Sequence, residues 1–272
     1  MTDPTANASN AEPVLLEETS GGVRMLRLNR PAKKNALSDD LVQALVEGFD
    51  AAAADDDVRV IGLTGAGDAF CSGADLAGPR PAADGTPGRA RMDDQVVRLV
   101  TSIRVDCEKP VIAGIGGIAI GAGLSLALCA DMRIASSKAR FHPGYARAGS
   151  SPDCGLSWTL PQAIGHERAM RFLLDQEMVD ADEALALGLV GEVVPAERFE
   201  EAFVAYCRKI AEVAPLASRQ TKRLVTRAGL LADLEGHLRE EVELAVRALS
   251  SEDGREAIKA ILQKRKPEFT GR

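Results

Sequence analysis

Histidine is scarce here. The 272 residues hold three, at positions 142, 166 and 237, and no two of them stand at metal-ligand spacing. A histidine-based metal centre or a Ser-His-Asp triad therefore has little to build on, and the G-x-S-x-G turn of an α/β-hydrolase is missing as well. Neither GAGDAF (65–70) nor GAGLSL (121–126) completes G-x-G-x-x-G, and no G-x-x-x-x-G-K-[ST] occurs, so dinucleotide and P-loop sites are unsupported. The five cysteines (71, 107, 129, 154, 207) are odd in number, widely spaced and free of C-x-x-C, which argues against a disulfide framework and for a reducing compartment. No apolar run approaches the roughly 20 residues of a membrane span. The N-terminal stretch MTDPTANASNAEP lacks a basic n-region and an apolar h-region, and residues 1–12 are expected to be a disordered tail, with the cytoplasm as the default location. A net charge of −7 weighs against a nucleic-acid surface.

What is present alternates. Val23–Leu28 (VRMLRL) has the period of a strand, and Ser38 opens a helical pattern through LVQALVEGFDAAAA. Val58–Thr64 reads as a buried strand running into the glycine-rich GAGDAFCSGADL, and residues 77–90 as a Pro/Gly loop. A helix is expected from about Arg91 to Val105. Val111–Ile115 and Asp131–Ala135 read as strands, with the apolar helix LSLALCA between them. Beyond Asp153 the pattern is mostly helical, with a short strand at Val190–Val194 and long amphipathic helices near 196–213 and 234–265. This order predicts an α/β core over residues 13–200 with a helical portion over 201–272.

Two junctions stand out, Cys71-Ser72-Gly73-Ala74-Asp75 and Gly121-Ala122-Gly123. Small side chains let a ligand oxygen approach the main-chain N–H groups, and at the second junction those amides also open a helix. Converging amides of this kind form an oxyanion hole; tight packing of glycine turns is the plainer reading of either junction alone.

Taken in order, Arg30-Pro31…Asn35-Ala36-Leu37, Ala69-Phe70-Cys71-Ser72-Gly73-Ala74-Asp75-Leu76, Lys109-Pro110-Val111-Ile112-Ala113 and Gly117-Ile118-Ala119-Ile120-Gly121-Ala122-Gly123 resemble the crotonase superfamily, the enoyl-CoA hydratase/isomerase group. The likeness continues through Leu187-Gly188-Leu189-Val190 to Lys264-Arg265-Lys266-Pro267…Phe269. It implies a spiral of β-β-α turns with C-terminal helices that assemble a trimer or a dimer of trimers. It also implies an acyl-CoA substrate, with coenzyme A part of that substrate and no metal or separate cofactor. By the same resemblance the amides of Ala74 and Ala122 hold the thioester oxygen. Lys34, Ala36, Ser72, Asp75, Leu76, Gly121 and Tyr145 fall around the substrate, and the basic C-terminus near a CoA phosphate.

The sequence departs from the hydratases of that family where they carry two glutamates. Those positions fall here at Ser125 and Tyr145. Eight residues past Tyr145 stands Asp153, in SSPDCGLSW, where certain enoyl-CoA isomerases and a dehalogenase of the family place a single acid. The residues alone allow a helix start, with Ser151 as cap, Pro152 first and Asp153 beside the dipole. The resemblance implies a proton shuttle at Asp153. Two alternatives stay open: a hydratase that holds its water in another way, and an acyl-CoA-binding protein that turns nothing over.

Overall fold

The computed structural model describes residues 12–75, 95–146, 151–228, 251–263 and 265–272. The expected tail over 1–12 (but for residue 12), the loop over 77–90, Leu76, Lys264 and most of the helix expected at 234–265 lie outside these residues.

Strands β1 (Leu15–Ser20) and β2 (Val23–Leu28) form an antiparallel hairpin, and helix α1 (Asp39–Ala54) follows. Ser38 caps α1 by accepting the Leu41 amide, as the sequence predicts. Three β-β-α turns then repeat. The first is β3 (Val60–Gly65), β4 (Ala69–Cys71) and α2 (95–101), which runs into a π-helical turn at Ser102–Asp106. The second is β5 (Val111–Ile115), β6 (Ile118–Ile120) and α3 (Ala122–Cys129); the third is β7 (Met132–Ser136), β8 (Arg140–His142) and α4 (Leu156–Ile164). Helix α5 (His166–Asp175), β9 (Val179–Asp180), α6 (Ala181–Leu187), β10 (Glu192–Val194), α7 (Phe199–Ala211) and α8 (Pro215–Ala228) complete the core, and a last described helix spans Glu252–Gln263.

Each turn gives one strand to each of two sheets. The larger runs β1-β2-β3-β5-β7-β10, parallel from β2 onward, and the smaller runs β4-β6-β8-β9, parallel through β8. Because the chain moves from one sheet to the other after only a few residues, the strand ends at Cys71 and Ile120 come to lie side by side.

The central strands β3 and β5 of the large sheet are buried on both faces, which is why they read as continuous apolar runs, whereas β2 alternates and β1 is largely exposed. Leu26, Ile61, Leu63, Ala113 and Ile115 face the main core with Leu41, Leu45 and Phe49 of α1. Val23, Val60, Ile112 and Ile134 face Phe199, Phe203 and Cys207 of α7. Fully burying a side chain such as Phe203 contributes about 2–3 kcal/mol. Helix α7 spans the boundary drawn at residues 200 and 201.

One reading of the sequence needs correction. Helix α4 begins at Leu156 with Gly155 at its cap position and no side-chain cap, so neither Ser151 nor Asp153 starts it. Cys154 and Gly155 both have positive φ, 51° and 78°, and the Leu156 amide donates to the Asp153 carbonyl at 3.0 Å. That is a tight type I′-like turn, in which Asp153 is the first residue rather than a helical one. The amphipathic helix expected near 196–213 is present. A 3-10 turn leads into α7, and Pro215 starts a separate helix because proline fits a first position.

Candidate active site

The site forms where the loop after β2, the end of β4 and the start of α3 meet. The loop is pinned by Asn35, which is wholly buried. Its Nδ2 donates to the carbonyls of Ala66 (2.9 Å) and Ala69 (2.8 Å), and its Oδ1 accepts the Arg30 amide (2.9 Å). Lys34 and Asn35 both sit in the left-handed region, at φ 50° and 55°, a conformation that side-chain bonds of this kind hold in place. Asn35→Ala strands two carbonyls and the Arg30 amide. It is expected to cost on the order of 3 kcal/mol in urea denaturation, with an unchanged denaturant slope.

Leu37 next pairs with Ala74 in a parallel bridge. The Leu37 amide donates to the Gly73 carbonyl (2.8 Å), and the Asp75 amide donates to the Leu37 carbonyl (2.9 Å). Alternation along an extended segment then turns the Ala74 N–H to the opposite side. Across from it, Ala122 opens α3, so its N–H has no acceptor within the helix, and no side chain caps that end. Gly73, at φ 98°, presses against this start: a Cβ there would stand 2.9 Å from the Ile120 carbonyl oxygen and 3.6 Å from the Ala122 nitrogen. The two junctions read from the sequence are therefore one place.

A narrow apolar cleft, with only about 10 Å³ open to water, is lined by Leu37, Leu99, Ala122, Leu126, Cys129 and Cys154 among others. A larger cleft along the C-terminal helix, lined by Glu252, Asp253, Lys259 and Lys266, holds none of these groups.

Above the start of α3 lies a hydrogen-bonded cluster that the sequence shows only as three separate positions. Tyr145, buried, donates its hydroxyl to Asp153 Oδ1 at 2.6 Å. Ser125, wholly buried in α3, lies 2.7 Å from the Tyr145 hydroxyl. Its Oγ is also 3.2 Å from the carbonyls of both Gly121 and Asp153. A carboxylate only accepts, so the Tyr145 proton points at Asp153 and the Ser125 proton is free for the tyrosine oxygen or a carbonyl. Burial, and then the bond to Asp153, push the Tyr145 phenol far above its usual range, so it stays a protonated donor. Asp153 itself is exposed, and burial first, then the charge of its carboxylate, push the neighbouring Cys154 thiol well above its usual range.

The remaining residues named from the sequence take these places. Asp75 holds Arg30 in an ion pair at 2.7 Å, and the same guanidinium reaches the Ala36 carbonyl. Ala36 is buried, and Ser72 Oγ donates to the Lys33 carbonyl at 3.3 Å. Lys34 is exposed and bonds both oxygens of Asp68, at 2.6 and 2.7 Å, which keeps that carboxyl below its usual range. Gly121 donates its amide to the His142 carbonyl at 3.0 Å. The sequence reading passes over Arg30 as a partner of Asp75; a charged pair 45 positions apart leaves no local signal.

All five cysteines are free, and burial pushes the thiols of Cys71 and Cys129 up to about 12. Among the described residues no group of three or more His, Cys, Asp or Glu side chains could hold a metal ion. No described helix is long and apolar enough to cross a membrane.

Residues 18–272 match the enoyl-CoA hydratase/isomerase family. A protein named a probable enoyl-CoA hydratase from Rhodobacter capsulatus is 37% identical over 94% of this chain and 97% of its own length. The 1,2-epoxyphenylacetyl-CoA isomerase of Escherichia coli is 33% identical over 95% of this chain and 98% of its own. The crystal structure of an enoyl-CoA hydratase from Polaromonas sp. JS666 superposes with a TM-score of 0.87 at 32% identity, over 94% of this chain and 99% of that one. With its two-sheet spiral and this match over nearly its full length, the chain belongs to the enoyl-CoA hydratase/isomerase family of the crotonase superfamily and is an acyl-CoA enzyme of that family.

Proposed function

We propose that this enzyme isomerises enoyl-CoA thioesters, moving a double bond from C3 to C2, with Asp153 as the one acid/base. The observation that carries the reading is the Ser125–Tyr145–Asp153 cluster. The two positions at which hydratases of the family place glutamates hold hydroxyls here; that of Tyr145 donates to the Asp153 carboxylate, and that of Ser125 meets the Tyr145 hydroxyl and the Asp153 main-chain carbonyl.

In this reading the thioester oxygen lies between the amides of Ala74 and Ala122, and the acyl chain runs along the apolar side chains of Leu37 and Leu99, which must part to admit it. Asp153 takes the C2 proton of a 3-enoyl thioester. The electron pair of the broken C–H bond spreads over C2, the carbonyl and the C3–C4 double bond, and the two amides stabilise the oxygen of that dienolate. The protonated Asp153 returns the proton at C4, which leaves the double bond between C2 and C3 and restores the carboxylate. One carboxylate serves both transfers, and Tyr145 holds it in a fixed orientation by occupying Oδ1. Lys34 and the loop around Ala36 meet the CoA nucleotide, which requires Lys34 to leave Asp68.

The similarity to an enzyme named as a hydratase favours a second reading, addition of water to a 2-enoyl-CoA. Assay in deuterated water separates the two. Isomerisation converts 3-enoyl-CoA to 2-enoyl-CoA with the C2 hydrogen carried to C4, deuterium entering there only to the extent that the protonated Asp153 exchanges with solvent first; hydration yields the 3-hydroxy thioester from 2-enoyl-CoA, with solvent deuterium at C2. Tyr145→Phe removes the donor to Asp153, and isomerisation is expected to fall about 10-fold with KM nearly unchanged. Equal rates in the two enzymes would contradict the orienting role of Tyr145.

A further inference from the structure

The Arg30–Asp75 pair meets no proposed reacting atom, yet it is closely tied to one. Both side chains are mostly buried, 19% and 15% exposed, and Nη2 lies 2.7 Å from Asp75 Oδ2. The second guanidinium nitrogen, Nη1, bonds the Ala36 carbonyl. The Arg30 backbone adds to this, since its amide donates to Asn35 Oδ1 at 2.9 Å and its carbonyl accepts the Lys33 and Asn35 amides at 2.9 Å each. One residue thus ties the loop 30–37 to the residue immediately after Ala74.

The geometry around Ala74 makes that tie consequential. Among the described residues the segment is held to the loop by the Ser72 amide on the Lys34 carbonyl, the Leu37 amide on the Gly73 carbonyl and the Asp75 amide on the Leu37 carbonyl. The peptide plane carrying the Ala74 N–H is the one whose Gly73 carbonyl accepts the Leu37 amide, so the direction of that N–H follows how firmly the loop at Leu37 is held against the segment. Gly73, at φ 98°, is the residue least able to fix that direction, because glycine moves through this region at little cost. Restraint from the other side falls to Asp75, and the Asp75 side chain is clamped by a charged fork rather than by a neutral bond. Arginine suits the task because its planar guanidinium meets two oxygens at set angles, where a lysine ammonium would serve as a single point charge.

We propose that Arg30 and Asp75 are a positioning pair for the Ala74 amide, setting how well it meets the thioester oxygen while leaving substrate affinity largely unaffected. The inference rests on the reading of the Ala74 amide as a donor to that oxygen. It assigns Asp75 a place behind the amide instead of in contact with the substrate, and it gives the loop 30–37 a part in catalysis besides any contact with CoA.

The test reads the amide directly. Full-length enzyme is mixed with butanoyl-CoA carrying ¹³C at the thioester carbonyl, and the carbonyl stretch is recorded by difference infrared spectroscopy, free and bound. Wild type is expected to lower the stretching frequency, because hydrogen bonds weaken the C=O bond. Asp75→Asn keeps the shape but loses the charge, and Arg30→Lys keeps the charge but loses the fork. Each is expected to return the stretch more than halfway to its free value, and to lower kcat about 10-fold or more while KM stays within about threefold. Thermal unfolding of each variant checks that the loss is not one of folded enzyme, and the two variants guard against either one failing to fold. A full wild-type shift and kcat in both folded variants overturns the positioning role and leaves the proposed function standing. A wild-type carbonyl that does not shift on binding removes the amide as a donor, and both readings fall.

Discussion

Asp153→Asn is expected to lower isomerisation of a 3-enoyl-CoA by about 10²–10⁴-fold, the range for removing a positioned acid/base. The substitution is close to isosteric, and the amide oxygen of asparagine can still accept the Tyr145 hydroxyl that now lies 2.6 Å from Oδ1. The Cys154–Gly155 turn does not depend on the Asp153 side chain, since the Leu156 amide donates to the main-chain carbonyl. Fold and binding should therefore persist, with the dissociation constant of a saturated acyl-CoA within about threefold of wild type while kcat collapses. Steady-state rates on 3-enoyl-CoA, paired with calorimetric titration of the saturated thioester, measure both quantities. The contrary result is equally informative. If wild type hydrates 2-enoyl-CoA and Asp153→Asn does so at the same rate, Asp153 carries no chemistry and the hydratase reading takes its place.

Gly123→Ala should be nearly as damaging although it adds one methyl group. Gly123 lies in the first turn of α3, where a Cβ would stand 2.2 Å from the Cys71 carbonyl oxygen and 2.8 Å from the Cys71 carbonyl carbon and Cβ. Those are backbone and near-backbone atoms that cannot rotate away, so α3 and the end of β4 must separate by about an ångström. Separation moves the Ala122 amide relative to Ala74, and misplacement on that scale can cost about 10²-fold in rate. Loss of one oxyanion donor has a similar size, about 3–4 kcal/mol in barrier height. The expected outcome is a folded but less stable enzyme whose kcat, normalised to active folded protein by circular dichroism, falls about 100-fold. A normal kcat in Gly123→Ala would mean that the approach of α3 to Cys71 does not set the donor geometry.

The two experiments probe different halves of the site, and the sequence exposed those halves unequally. The junctions at Gly73-Ala74 and Gly121-Ala122-Gly123 are visible in the chain because glycine next to alanine at a strand end is a local pattern with a local cause: backbone must come close to something. Strands such as Val23–Leu28 and Val111–Ile115 are visible for the same kind of reason, their periodicity being fixed by burial on one face or two. The three-residue strands β4, β6 and β8 left no periodicity to find, since three residues do not complete a pattern. Their pairing is parallel and contributed by successive turns of the spiral, so nothing in any one stretch announces it.

Asp153 shows the limit most plainly. In sequence it follows a proline ahead of an apolar helix, and that context favours a cap. The cap fails because two positive-φ residues, Cys154 and Gly155, divert the chain into a turn before α4 begins. A positive φ at cysteine is uncommon and cannot be anticipated from residue type.

Composition and local pattern by themselves determined the α/β class, the two amide junctions and the weakness of any case for histidine-based metal or triad chemistry. Those properties depend on residue type and on spacing over a few positions. Tertiary structure alone decided that Ser125, Tyr145 and Asp153 share one hydrogen-bonded cluster, and that Arg30 reaches Asp75 across 45 positions. Hydrogen bonds act over about 3 Å whatever the distance along the chain. Only the folded spiral, by returning each turn to the same edge, brings such partners within that reach.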